Sequence, residues 1–228
     1  MRIINLVEIK SVLPKVDLMK EIEAGFVAYT RGDVVVPPVG ELQFESPPGD
    51  VHIKYGYIKN DDVYVIKIAS GFPRNSDRGL PNGNGMMLVF NQKTGEPMAI
   101  LKDEAHLTDV RTAVAGAICA KYLSPKIVNN IGIVGTGLQA KMQLEYLNSI
   151  IDCKNVIVWG RRETSLLKYQ SEMKNAGFEI TTTTDINDVI DSCQLIVTCT
   201  SSETPLLSRV NPGTHITAMG SDTLTKQE

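Results

Sequence analysis

The sequence predicts an α/β chain in which a smaller α/β domain, residues 1–124, precedes a doubly wound parallel sheet, residues 125–228. Three observations carry this prediction. Beyond Pro125, apolar strand-like runs alternate with helical patterns, as they do in parallel sheets. Between Val34 and Ile100, short β-rich runs are broken by turn-forming clusters, which fits an antiparallel or mixed sheet. A long helical pattern ending before Pro125 joins the two parts.

Taken in order, "DLMKEIEAGFVAYTRGD" places Leu18, Met19, Ile22 and Phe26 on one helical stripe, with Asp17 as N-cap and Gly32 as the stop. This is the pattern of a helix packed on a surface. The runs "HIKYGYI", "VYVIKIA" and "MMLVFN" read as strands, separated by "KNDD" and "GLPNGNG". "LTDVRTAVAGAICAKYLSP" reads as a helix capped by Thr108, with Val110, Val114, Ala117 and Ile118 facing inward. The strands of the second domain are expected in "NIGIVG", "NVIVWG", "FEITTTT", "QLIVTCT" and "THITAMG", with helices at 138–150, 164–176 and 186–192.

Composition bounds the function. With 228 residues, 43% of them hydrophobic, the chain can bury one or two sizeable cores. A net charge of -3 gives no general reason to bind nucleic acid or an anionic membrane. The four cysteines form no Cys-x-x-Cys pair and the three histidines have no metal-ligand spacing, so neither a disulfide framework nor a metal site is expected. The opening residues lack a signal-peptide pattern, and no run is as long as a membrane span; a cytoplasmic location is the expectation.

The turn in "NNIGIVGTGLQAKMQLEYL" has a specific physical reading. Gly135 allows a tight exit from the strand, Gly137 lets the backbone approach a pyrophosphate, and Ala140 is small enough for close helix-sheet packing. Unpaired N–H groups at the start of the new helix, around Thr136, Leu138 and Gln139, would receive the phosphates. A glycine chosen only for a left-handed turn gives the same letters. Strand before, helix after and the βαβ length favour a dinucleotide. An NAD site usually has an acid about 20 residues beyond the glycines. Here "VIVWGRR" offers Arg161 and Arg162, so the cofactor is expected to be NAD(P), leaning to NADP(H) for its 2'-phosphate. Two solvated arginines opening a helix are the alternative.

Three further residues carry charge where it needs explaining. Arg111 is placed in the first turn of its helix, against the positive end of the dipole, a conflict that a bound anion would remove. Lys67 interrupts an apolar strand and needs a partner. An ion pair with Asp109 and a lysine snorkelling to the surface are the respective alternatives. Asp222 follows the last strand, at the sheet end where ligands gather; it reads equally as a solvated loop residue or an N-cap.

The combination of "LTDVRTA" with "GTGLQA", preceded by "VIKIASGFPRN" and followed by "MGSDTLTKQE", resembles the ornithine cyclodeaminase and μ-crystallin family from about Val34 onward. The resemblance implies a Rossmann domain beside an α/β domain that binds substrate and forms a homodimer. It implies that Lys67 and Arg111 clamp a substrate α-carboxylate and that Asp222 handles the amino group as general base. It also implies that the segment containing Thr198, Thr200 and Ser201 closes over the cofactor and that Gly220 helps to bind it. The sequence departs from the pattern at "VVVPPVGELQF", where Val39 stands in place of an arginine, and Lys54 or His52 is the expected substitute; Leu224 and Thr225 replace a Pro-Gly pair. The chain stops at Glu228, so the C-terminal part of the family fold is expected to be missing. The partner is expected to be a small amino-acid or cyclic-imine substrate. The implied function is ornithine cyclodeaminase chemistry, giving proline with loss of ammonia. The alternatives are an NAD(P)H-dependent cyclic imine reductase and a non-catalytic μ-crystallin-like binder.

Overall fold

The structure, a computed structural model, describes residues 1–220 and 226–228. It divides into two compact units, Met1–Arg111 and Thr112–Glu228.

The first unit opens with β1 (Arg2–Asn5) and α1 (Leu6–Val12). Asn5 caps α1 through a capping box: its side chain accepts from Glu8 N, and the Glu8 carboxylate accepts from Asn5 N. Next comes α2 (Leu18–Thr30), capped by Asp17 and ended at Gly32, which adopts a φ of +77°. Its apolar stripe is less covered than the pattern predicts: no α2 residue is fully buried and Phe26 is exposed. The strands are β2 (Val34–Val35), β3 (Gly40–Glu45), β4 (Pro48–Ile58), β5 (Val63–Gly71), β6 (Gly83–Asn91) and β7 (Pro97–Lys102). They form a mixed sheet in the order β1-β7-β6-β5-β4-β2, with β3 also on β4; β1 runs parallel to β7 and the other pairs are antiparallel.

The helix α3 (His106–Leu123) begins two residues earlier than Thr108. Thr108 is therefore not its cap. Asp103 serves that end instead, its Oδ2 accepting from Leu107 N at 3.0 Å and its carbonyl from His106 N at 2.9 Å. Glu104 and Ala105 make the entry with φ of +53° and +68°, a left-handed conformation that non-glycine residues seldom take. Arg111 consequently sits in the second turn, where its conflict with the helix dipole is weaker than the first-turn placement implies. The inward residues Val110, Val114, Ala117 and Ile118 are buried as their spacing predicts.

In the second unit, β8 (Ile131–Val134), α4 (Leu138–Leu147), β9 (Asn155–Trp159), α5 (Glu163–Asn175), β10 (Glu179–Thr183), α6 (Ile186–Ser192), β11 (Leu195–Thr198) and β12 (His215–Ala218) alternate. The five strands are all parallel, in the order β10-β9-β8-β11-β12. The chain order turns back at β8, which makes the gap between the carboxyl ends of β8 and β11 the switch point where such sheets bind ligands. β8 and β11 are buried along their whole length, as continuous apolar runs in a covered parallel sheet must be. No helix among the described residues is long and apolar enough to cross a membrane.

Candidate functional site

Each unit carries its own cluster. In the first, the β4-β5 register sets Lys54 directly opposite Lys67 on one face of the sheet. Like charges in that relation are destabilising unless something negative joins them. Lys67 Nζ donates to Thr108 Oγ1 at 3.2 Å, which ties the lysine to the first turn of α3. Its pKa falls from the ordinary lysine value to about 8, through burial first and then through the charges of Arg111 and Lys54; Asp103 and Asp109 oppose the shift. Arg111 is exposed, and the partial burial of its guanidinium still lowers its pKa, with Asp109 opposing. Asp103, whose charge acts on Lys67, lies at 1% exposure, and its Oδ1 has no hydrogen-bond partner. Lys54, Lys67 and Arg111 thus form a cationic cluster suited to a carboxylate, with a buried acid at the helix entry. His52, the other expected substitute, lies on β4 between Glu41 and Asp50, at 3.4 and 3.6 Å, rather than in that cluster's electrostatic group.

In the second unit the chain leaves β8 through Gly135 at a φ of +117°. A Cβ there would lie 2.6 Å from the Cys199 carbonyl oxygen, so both conformation and space demand glycine. The turn is fastened on both sides: Gly135 N donates to Trp159 O at 2.9 Å, and Cys199 N donates to Val134 O at 2.8 Å. Gly137 is the N-cap of α4; it offers no side-chain cap, and a Cβ added to it would meet nothing within 4 Å. The first-turn N–H groups therefore donate no hydrogen bond to an N-cap side chain, with Thr136, Leu138 and Gln139 around them. Ala140 is fully buried, and its carbonyl accepts from the Tyr169 hydroxyl at 2.9 Å. Arg161 and Arg162 are exposed just past the carboxyl end of β9, and Arg162 is the N-cap of α5. These features fit a dinucleotide: a tight glycine turn, a bare helix N-terminus and close helix-sheet packing.

Thr198 ends β11, Thr200 and Ser201 follow it, and Gly220 lies just past the carboxyl end of β12. Three of them donate to one acid that sequence reasoning did not single out. Glu228 accepts from the Thr198 hydroxyl at 2.8 Å, from Gly220 N at 2.6 Å and from Thr200 N. No spacing rule announces such a contact. Asp222 lies outside the described residues. Among the described residues no group of three or more His, Cys, Asp or Glu is placed to hold a metal.

A parallel sheet with a glycine turn at its switch point makes the second unit an α/β fold of the dinucleotide-binding class, and the cationic cluster belongs to the first unit. The chain belongs to the ornithine cyclodeaminase/mu-crystallin family, whose model matches residues 1–228. It is 34% identical to an uncharacterized cyclodeaminase of Sinorhizobium fredii, over 100% of this chain and 70% of the relative. Among solved structures it is similar to an archaeal alanine dehydrogenase dimer with bound NAD, at 31% identity and a TM-score of 0.90, covering 100% of this chain and 70% of the other. It is also similar to the iminosuccinate reductase of Paracoccus denitrificans in complex with NAD+, at 27% identity and a TM-score of 0.86, covering 100% and 71%.

Proposed function

We propose that the protein is an NAD(P)H-dependent reductase of an α-imino acid, such as Δ1-pyrroline-2-carboxylate, anchored by its carboxylate. One observation carries the reading: Lys54 and Lys67 face each other across adjacent strands, and Lys67 also feels the charge of Arg111, an arrangement that an anion relieves. A bound nicotinamide nucleotide supplies the hydride. Lys67 and Arg111 hold the carboxylate and so fix the neighbouring C=N carbon; when hydride adds to that carbon, its nitrogen takes up a proton, for which Asp222 is the proposed donor. The Gly135–Gln139 turn receives the pyrophosphate, and Arg161 and Arg162 favour a 2'-phosphate. The alanine dehydrogenase and iminosuccinate reductase likenesses support chemistry at an amino-acid α-carbon.

Ornithine cyclodeamination is the second reading, supported by the family and the cyclodeaminase relative. It ranks lower because ornithine brings two ammonium groups to a cluster that already holds three cations. Homodimerisation belongs to the proposal as well. Leu42, Phe44, Tyr55, Tyr57 and Met86 are exposed on the sheet face opposite Lys54 and Lys67, and a second copy would cover that apolar surface. The direct test supplies the cyclic imine with NADPH or NADH, and separately ornithine with catalytic NAD+. Nucleotide oxidation matched to imine consumed supports the reductase; ammonia from ornithine without net cofactor change overturns it in favour of the cyclodeaminase.

A further inference from the structure

Gln143 is fully buried on α4, one turn beyond Gln139, and its amide is used unevenly. Nε2 donates to the Thr112 carbonyl of α3 at 3.2 Å and to Gln139 Oε1 at 3.4 Å. Its own Oε1 is buried without a partner. The opposing position on α3 is Gly116, where a Cβ would stand 2.0 Å from that Oε1. Two helices thus come together over a glycine and a glutamine whose carbonyl gains nothing. A buried unpaired acceptor costs about 1–3 kcal/mol, and leucine or methionine at this position would avoid that cost. Stability alone does not account for the choice of side chain.

We propose that Gln143 is a positioning residue for nucleotide binding, an amide clamp that holds the first turn of α4 and the Gly135–Gln139 turn in register on α3. The inference rests on the nucleotide reading given above. The donor side of the amide meets both helices at once: Thr112 O fixes where α4 lies along α3, and Gln139 Oε1 ties the clamp to the turn whose N–H groups face the phosphates. An apolar side chain fills the same space but lets the turn slide or rotate, because dispersion contacts are not directional.

The test is Gln143→Met in the whole protein, with titration of NADH and NADPH, titration of pyrrole-2-carboxylate without nucleotide, and thermal melting. Expected are nucleotide dissociation constants raised about fivefold to tenfold, as loss of hydrogen bonds of ordinary strength implies. Carboxylate affinity should be unchanged and the melting temperature equal or higher. Gly116→Ala displaces the same amide from the other side and should give the same selective loss. Wild-type affinity in a folded Gln143→Met protein overturns the proposal alone, whereas a wild-type protein that binds neither nucleotide overturns the nucleotide reading with it. If both variants fail to fold, Gln143 serves folding and the proposal falls.

Discussion

Carboxylate binding at Lys54, Lys67 and Arg111 is expected to weaken with rising pH, and Lys67 sets the window. Its ammonium titrates at about 8 in the free protein, held down by burial and by the neighbouring cations. Only the protonated form attracts a carboxylate, and a bound carboxylate raises the pKa, so the apparent dissociation constant should grow as the free lysine loses its proton. It should be about twofold weaker at pH 8, about tenfold at pH 9 and about thirtyfold at pH 9.5, relative to pH 6.5. Calorimetric titration with pyrrole-2-carboxylate reads this directly, because its ring nitrogen takes up no proton in the range. Lys67→Arg keeps the charge without a titration and should flatten the profile, while Lys67→Met should bind weakly at every pH. The linked effect on unliganded stability has the opposite trend. A lysine with a lowered folded-state pKa leaves the unfolded chain holding more protons between about pH 8 and 10.5, so wild type should gain stability relative to Lys67→Met as pH rises through that window. An affinity flat from pH 6.5 to 9.5 in wild type, or an unchanged slope in Lys67→Arg, would show that Lys67 does not govern carboxylate binding.

Gly135→Ala should cost about 2–3 kcal/mol in urea unfolding and abolish nucleotide binding, because alanine disfavours a φ of +117° and its Cβ meets the Cys199 carbonyl; an unaffected variant would show that the turn relaxes freely. Replacing Arg161 and Arg162 together by alanine should weaken NADPH by roughly tenfold or more and NADH by less than twofold, as titration of the two nucleotides can read; equal losses exclude a 2'-phosphate role. Tyr57→Glu puts a charge on the exposed sheet face and should shift a dimer to monomer in light scattering. A wild-type protein that is already monomeric contradicts the dimer.

Most of the second unit was legible in the sequence because its strands are continuous apolar runs bounded by glycine and its helices keep a clear period. The residues from Ile186 to Ser192 match their expected helix to the residue. The first unit was harder. The local signal for α1 is confined to the capping box of Asn5 and Glu8, and β7 lacks a strong alternating pattern. The start of α3 is masked for a different reason. Thr108 is a good cap by type, but the helix is entered through left-handed Glu104 and Ala105 and capped from Asp103, and neither glutamate nor alanine favours positive φ. In the candidate site, Gly135 and Gly137 were legible through their spacing, whereas the opposition of Lys54 and Lys67 depends on strand register, which only the folded sheet fixes. The Glu228 contacts join parts of the chain separated by up to 30 residues, beyond any local rule.

The central claim is that hydride passes between a nicotinamide nucleotide and the α-carbon of a carboxylate-anchored imine. Mass spectrometry of the product from Δ1-pyrroline-2-carboxylate and NADPH or NADH deuterated at the transferable position tests it most directly. One deuterium at Cα is expected for each nucleotide oxidised, with product formation largely lost in Lys67→Met while the nucleotide still binds. Unlabelled product, or no turnover by a protein that binds both nucleotide and carboxylate, would contradict it.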